Sequence, residues 1–287
     1  MNPQLRARLI SFGQAGSGLA GVAAGVLVGV VLSSSRPAYP VNYVLLLSLG
    51  AVMFAGSVGC IALIKEQPEH GREPPLAWPE FFRRLGAILR EEAGYRRAVI
   101  VQVLFTLAGA AAPFYVLHGL DSLGFPKSSV GYFTSAQVAG GVVSALFIGW
   151  IGEKKGTRAV MRLWGAMSAL TPLLALALSL SRSGFSKTPL LYLYGSVFIL
   201  VGSQSNTLMA GFLNYVLEYA PASSRLIYIG FANTASALQL LAPMIGGALL
   251  QATGSYPVLF VAAALGPLAG LALSLGMVEP RLCRQPG

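Results

Sequence analysis

Charge is scarce in this chain. Asp, Glu, Lys and Arg make up only 10% of its 287 residues, where a soluble domain carries roughly a quarter, so most of its surface must face something other than water. Acid is scarcer still. There are ten acidic residues, Asp121 is the one aspartate, and none of the ten falls inside an apolar run. The two histidines stand in a loop (His70) and at the outer end of a run (His118). A membrane-embedded enzyme needs a nucleophile, metal ligands or paired carboxylates in or near the bilayer, and this sequence offers none of them. Nor does it offer an intramembrane ionisable group of the kind that couples protons or ions to movement. Cys60 and Cys283 are the two cysteines, too far apart to announce a disulfide framework or a metal site. No phosphate-cradling glycine loop is present. No enzyme activity, metal or cofactor is implied.

What is abundant is apolar. Hydrophobic residues form 55% of the chain and mean hydropathy is +0.67. Crossing a hydrocarbon core takes about 20 apolar residues as a helix. Eight stretches qualify: Leu9–Leu32, Val41–Ile64, Ala98–Leu117, Val130–Ile151, Val160–Leu180, Leu190–Phe212, Leu226–Leu250 and Tyr256–Leu275. Helices are expected because lipid offers no partner for a free peptide group, and the alternating pattern of a membrane barrel is absent. The first run is long and no hydrophilic domain follows it, so it reads as a span that stays and not as a cleaved signal. The fold class is therefore all-α and integral to a membrane, with lipid as a partner.

The net charge of +10 does not imply nucleic acid, since the basic residues lie between apolar runs and no run carries a basic face. With the N-terminus inside, only Arg36, Lys127, Arg182 and Lys187 of the 20 basic residues fall in outer segments. The excess of inside Lys and Arg puts both termini in the cytoplasm, with the plasma (inner) membrane as the expected location. The longest break between spans, Lys65–Arg97, opens with a proline-rich linker and continues WPEFFRRLGAILREEAGYRR. Trp78, Phe81, Phe82, Leu85, Ile88 and Leu89 share one helical face and Arg83, Arg84, Arg90 and Glu91 the other. That pattern predicts an interfacial helix on the inner leaflet or, alternatively, a partner-binding helix. Gly21, Gly25 and Gly29 in the first span, and Gly266 and Gly270 in the last, recur every four residues, the spacing that lets helix backbones approach closely.

The first span opens RLISFG from Arg8 and the seventh opens RLIYIG from Arg225. The shared frame implies a six-helix repeat, a common building plan of transporters. Between the fourth and fifth spans lies GWIGEKKGTR, Gly149 to Arg158. This resembles the cytoplasmic loop motif G-x-L-a-D-r-x-G-r-r of the major facilitator superfamily. Gly149, Ile151, Glu153, Lys154, Gly156 and Arg158 fit their slots, while Glu153 replaces the usual aspartate and Thr157 a basic residue. A second trace, Leu217 to Arg225, carries Glu218, Pro221 and Arg225 and resembles the family's acidic–proline–arginine loop.

The resemblance implies twelve helices in two halves, of which this chain holds eight. Residues 1–64 would be the remnant of the N-terminal half, 65–97 the central cytoplasmic linker, and 98–287 the C-terminal six-helix half. The simplest account is a truncated transporter, inactive unless another chain supplies the missing half; a natural eight-helix protein is the alternative. Glu153 is expected near a helix N-terminus, where the macrodipole favours a carboxylate. The family's pseudo-symmetry would set it against Arg6 and Arg8 as a latch between the halves. Gly149 is expected to let the fourth span pack tightly, and Gly156 to permit a sharp turn.

In the family the matching helices face a central cavity. The neutral polar residues Gln102, Gln137, Ser203, Gln204, Asn206, Asn233 and Gln239 are thus the candidates to bind a small-molecule solute. Thr106 and Ser205 stand beside them, and the same amides could instead hydrogen-bond neighbouring helices. Four consecutive polar residues, Ser203–Asn206, cannot all face lipid. Pro113 and Pro243 are candidate helix breaks near a gate. The functional expectation is secondary-active transport of a small solute by alternating access; the alternative is a non-catalytic membrane scaffold or assembly subunit.

Overall fold

The computed structural model describes residues 3–34, 38–63, 78–221 and 225–280. Every regular element among them is helical. α1 (Pro3–Ser33), α2 (Val41–Ala62) and α3 (Trp78–Glu91) precede a bundle of six helical columns. The first column is α4 (Ala93–Thr106), a 3₁₀ segment (Leu107–Ala111), α5 (Phe114–Leu117) and a π-turn (His118–Ser122). Next come α6 (Ser129–Lys155) and α7 (Thr157–Leu180). The fourth column is α8 (Lys187–Leu208), continued by a π segment (Met209–Leu213) and α9 (Asn214–Tyr219). The fifth joins α10 (Arg225–Ser236) to α11 (Ala242–Thr253) through a 3₁₀ segment (Ala237–Leu240), and α12 (Tyr256–Ser274) is the sixth.

Seven helices among the described residues are long and apolar enough to cross a membrane: Gly16–Ser33, Val41–Ala62, Ala93–Ser122, Ser129–Lys155, Thr157–Leu180, Ile227–Thr253 and Tyr256–Ser274. The chain is an all-α protein of integral membrane type. The eighth predicted span, Leu190–Phe212, is helical throughout within the fourth column but is not one of the seven. Its apolar run is broken by the polar cluster Ser203–Asn206.

Lipid supplies no hydrophobic drive between helices, so close backbone packing must hold them together. α6 against α8 is the tightest case. A Cβ on Gly202 would overlap the carbonyl of Gln137, and one on Gly140 the backbone of Ile199. α1 lies along α6 in the same way: Gly21 faces Val138, Gly25 faces Ser135, and Gly29 meets Gly131. Gly266 and Gly270 bring α12 onto Leu104, Phe105 and Leu107 of the first column. α1 therefore stands beside the bundle, and the apolar length of α2 is covered by no described part of the protein.

Two aromatic cores occupy the two ends of the bundle. One gathers Tyr95, Phe105, Trp164, Tyr215 and Tyr228 near the end that carries the arginines; the other gathers Tyr115, Phe133, Tyr194, Phe198 and Phe260. α3 is not wholly given to lipid, because Leu85 is buried and Ile88 and Leu89 pack on the first core. Its C-terminal carbonyls, of Leu89 and Arg90, accept hydrogen bonds from Arg96 at 2.8 and 3.2 Å.

Replacing Gly202 by Leu forces α6 and α8 apart, and overpacking of this kind costs about 1–3 kcal/mol or more. We expect Gly202→Leu to lower Tm in detergent, and Gly50→Leu, on the bare α2 where nothing lies within 4 Å, to leave it unchanged. Equal Tm values for the two variants would contradict this packing.

Candidate functional site

A cavity of about 270 Å³ opens between the two cores, lined by residues of the first column, α7, the fourth column and the fifth. Phe105, Thr106, Trp164, Gln204, Ser205 and Gln239 give it an aromatic wall and a polar one. Phe105 and Trp164 meet edge to face, with ring centroids 5.2 Å apart. The 3₁₀ segments of the first and fifth columns border it, contributing Gly109 and Gln239. Each break lies just before a proline, Pro113 in one column and Pro243 in the first turn of α11 in the other. Proline has no N–H and crowds the preceding turn, so the regular ladder cannot continue through it.

The helical advance of about 100° per residue sends the members of Ser203–Asn206 in different directions. Ser203 Oγ donates toward two carbonyls, Ile199 at 2.8 Å and Gly140 of α6 at 3.1 Å. Gln204 turns to α7: its Nε2 donates to Thr171 Oγ1 at 2.8 Å, and its Oε1 accepts from Ser168 Oγ at 3.3 Å. Ser205 reaches the cavity. The side chain of Asn206 lies outside the described residues. Gln204 is thus both a cavity residue and a clasp between helices, and Thr171 and Ser168 are the partners that sequence reading missed.

The other candidates divide. Gln102 is fully buried; its Nε2 donates to Ser236 Oγ on α10, and its Oε1 has no hydrogen-bond partner among the described residues. Such an unmatched group costs about 1–3 kcal/mol; Gln102 lies one turn before Thr106 and does not line the cavity. Gln239 lines the central cavity. Gln137 does not: it lines a separate recess of about 310 Å³ with Ser17, Gly18 and Gly21 of α1 and Gly202 of α8. Ser205 touches both spaces. Asn233 is exposed and lines neither.

At the end that carries Arg158 and Arg162, the loop motif lies at the junction of α6 and α7. Gly156 turns the chain between α6 and α7 with φ +82°, a conformation that L side chains rarely adopt, and a Cβ there would collide with the carboxylate of Glu279. Glu279 occupies the N-terminus of α7. It accepts from the backbone N–H of Thr157 at 3.2 Å and of Arg158 at 3.1 Å. Glu153 stands exposed in the last turn of α6, the end of a helix where the macrodipole disfavours a carboxylate. A Cβ on Gly149 would meet nothing within 4 Å among the described residues, so tight packing of α6 does not depend on it. Lys154 lies over the Trp150 ring at 4.7 Å. The side chains of Arg6 and Arg8 lie outside the described residues.

The two loop motifs meet. Thr157 Oγ1 donates to Glu218 Oε2 at 2.9 Å. Arg158 donates to Met277 O at 3.2 Å, and Arg162 Nη2 to Ser274 O and Leu275 O at 3.2 and 3.1 Å. Cations thus satisfy the last carbonyls of α12 while the chain just beyond α12 returns a carboxylate to the start of α7, so both helix dipoles are complemented at one junction. Pro221 is exposed, and Nε of Arg225 is buried without a partner among the described residues.

Comparison of the chain with protein-family models finds no match, and comparison with curated proteins finds none either.

A carboxylate that caps a helix is worth about 1–2 kcal/mol. Glu279→Gln is therefore expected to lower Tm measurably and Gly156→Ala to lower it further, since alanine meets both the positive φ and the carboxylate. A Glu279→Gln variant that melts with the wild type would contradict the assignment of the cap.

Proposed function

We propose that the protein is a secondary-active transporter of the major facilitator type, moving a small neutral or polar solute through the cavity between α4, α7, α8 and the α10–α11 column. One observation carries this reading. A cavity walled by Trp164, Phe105, Thr106, Gln204 and Gln239 lies midway along a six-column bundle, flanked by two interrupted helices. Irregular backbone at membrane depth is tolerated where it is buried in protein or lines a polar space, and sites of this kind are built at such interruptions. Amides and hydroxyls with no charge among them suit a solute recognised by hydrogen bonds and ring stacking.

Alternating access needs a second body for the six columns to rock against. α1 lies along α6, and α2 stands on that flank uncovered. A second copy of the chain seated there would complete the second wall. The basic end of the bundle, with Arg158 and Arg162, would face the cytoplasm of a plasma-type membrane.

Uptake into proteoliposomes by the purified chain tests this, with a panel of labelled polyols, monosaccharides and neutral amino acids. Saturable uptake of one solute is expected. Gln204→Leu should reduce it by about tenfold, as loss of one buried polar contact does, while Asn233→Leu, outside the cavity, leaves it unchanged. No uptake of any solute by folded protein would favour a non-catalytic assembly subunit instead.

A further inference from the structure

His118, which the sequence places at the end of an apolar run, is 1% exposed inside the second core. It sits in the π-turn that closes the first column. Its ring packs against Tyr194 of α8 and against Tyr256 and Phe260 of α12, with centroids 5.7, 5.1 and 5.1 Å away. Both ring nitrogens face hydroxyls: Nδ1 lies 3.0 Å from Tyr194 Oη, and Nε2 lies 3.1 Å from Ser179 Oγ on α7. The tautomer follows from the next bond in the chain. Tyr194 donates its single proton to the carbonyl of Tyr115 at 2.9 Å, so toward His118 its oxygen can only accept. Nδ1 therefore carries the hydrogen, and Nε2 offers its lone pair to the Ser179 hydroxyl.

His118 and Ser179 together line a cavity of about 360 Å³ at the end of the bundle away from Arg158 and Arg162, with Ser122, Arg182, Ser255 and Tyr256. The charged and titratable groups around the ring are Arg182 after α7, Tyr194 on α8, Tyr256 on α12, and Tyr115 and Asp121 in its own column. The hydrogen-bond partners of the imidazole are hydroxyls, not carboxylates. Burial and the Arg182 cation oppose a charge on this ring, so the hydroxyl oxygens and the aromatic faces around it are what would have to hold one.

We propose that His118 is a proton-binding site filled from this cavity through Ser179. A hydronium in the cavity gives its proton to the Nε2 lone pair and leaves as water. The Ser179 hydroxyl turns to accept the new N–H, and Nδ1–H remains on Tyr194. The imidazolium loses its proton by the reverse route. This supplies the ionisable group inside the helical bundle that the sequence did not reveal, and it holds whichever solute the protein moves and whether or not it moves one.

The chain has two histidines, so His70→Ala leaves a single imidazole. The full chain carrying that substitution, labelled with ¹⁵N-histidine and placed in lipid nanodiscs, reports His118 alone by NMR. A hydrogen-bearing Nδ1 and a bare Nε2 are expected near neutral pH, with reversible conversion to imidazolium on acidification while circular dichroism holds constant. Adding Ser179→Ala should shift the Nε2 resonance and the midpoint of the conversion. An Nε2–H tautomer, or a ring that stays neutral until the protein unfolds, would overturn the proposal. A midpoint indifferent to Ser179→Ala would overturn the route.

Discussion

A peptide group inside hydrocarbon has no water to bond, and the rest of this structure is arranged around that fact. It makes helices the default wherever the chain is apolar. It also means that each place where the helical ladder fails must be compensated by protein. Two failures flank the central cavity, at Leu107–Ala111 and Ala237–Leu240, and two π segments interrupt the first and fourth columns. π segments and breaks gather at functional places because regular helix cannot present polar groups sideways. Here they fall at the central cavity, at the buried histidine and just before the Glu218 junction.

With no hydrophobic drive between helices in lipid, cohesion comes from close approach and from a small number of hydrogen bonds. Gly140, Gly202, Gly25 and Gly131 provide the first. Ser203 to Gly140, Gln204 to Thr171 and Gln102 to Ser236 provide the second. The contacts that hold α8 to α6 and α7 are thus made by the same short stretch that reaches the cavity. Gln204 thus serves both the α7–α8 clasp and the cavity wall with one side chain. At the basic end, Glu279 and the arginines tie α7 to α12 by their dipoles, which fixes the frame while the middle remains adaptable.

The spans were legible because hydropathy and helix length are local properties: Val160–Leu180 lies within α7 and Val130–Ile151 within α6. So were the helix interruptions, since Pro113 and Pro243 enforce them through their own chemistry, and the turn at Gly156. What stayed hidden depended on residues far apart in sequence. Glu279 reaches Thr157 only because α12 ends beside the start of α7, and no local signal distinguishes it from Glu153, which belongs to a recognisable loop. His118 reads as a rim residue because its burial is supplied by Ser179, Tyr194 and Phe260 from three other helices. The polar cluster Ser203–Asn206 was visible, but the assignment of each member to α6, α7 or the cavity required the rotation of α8.

The central claim is a water-accessible polar cavity in the middle of the bundle. Single cysteines in a Cys60→Ala, Cys283→Ala background test it most directly, through their rate of reaction with a small charged thiol reagent in lipid vesicles. Gln239→Cys, on the wall of the central cavity and not of the recess beside α1, should react, and Leu146→Cys, 75% exposed on the outside of α6, should not. A Gln239→Cys as inert as Leu146→Cys would show that the space is closed to water, and the account built on it would fail.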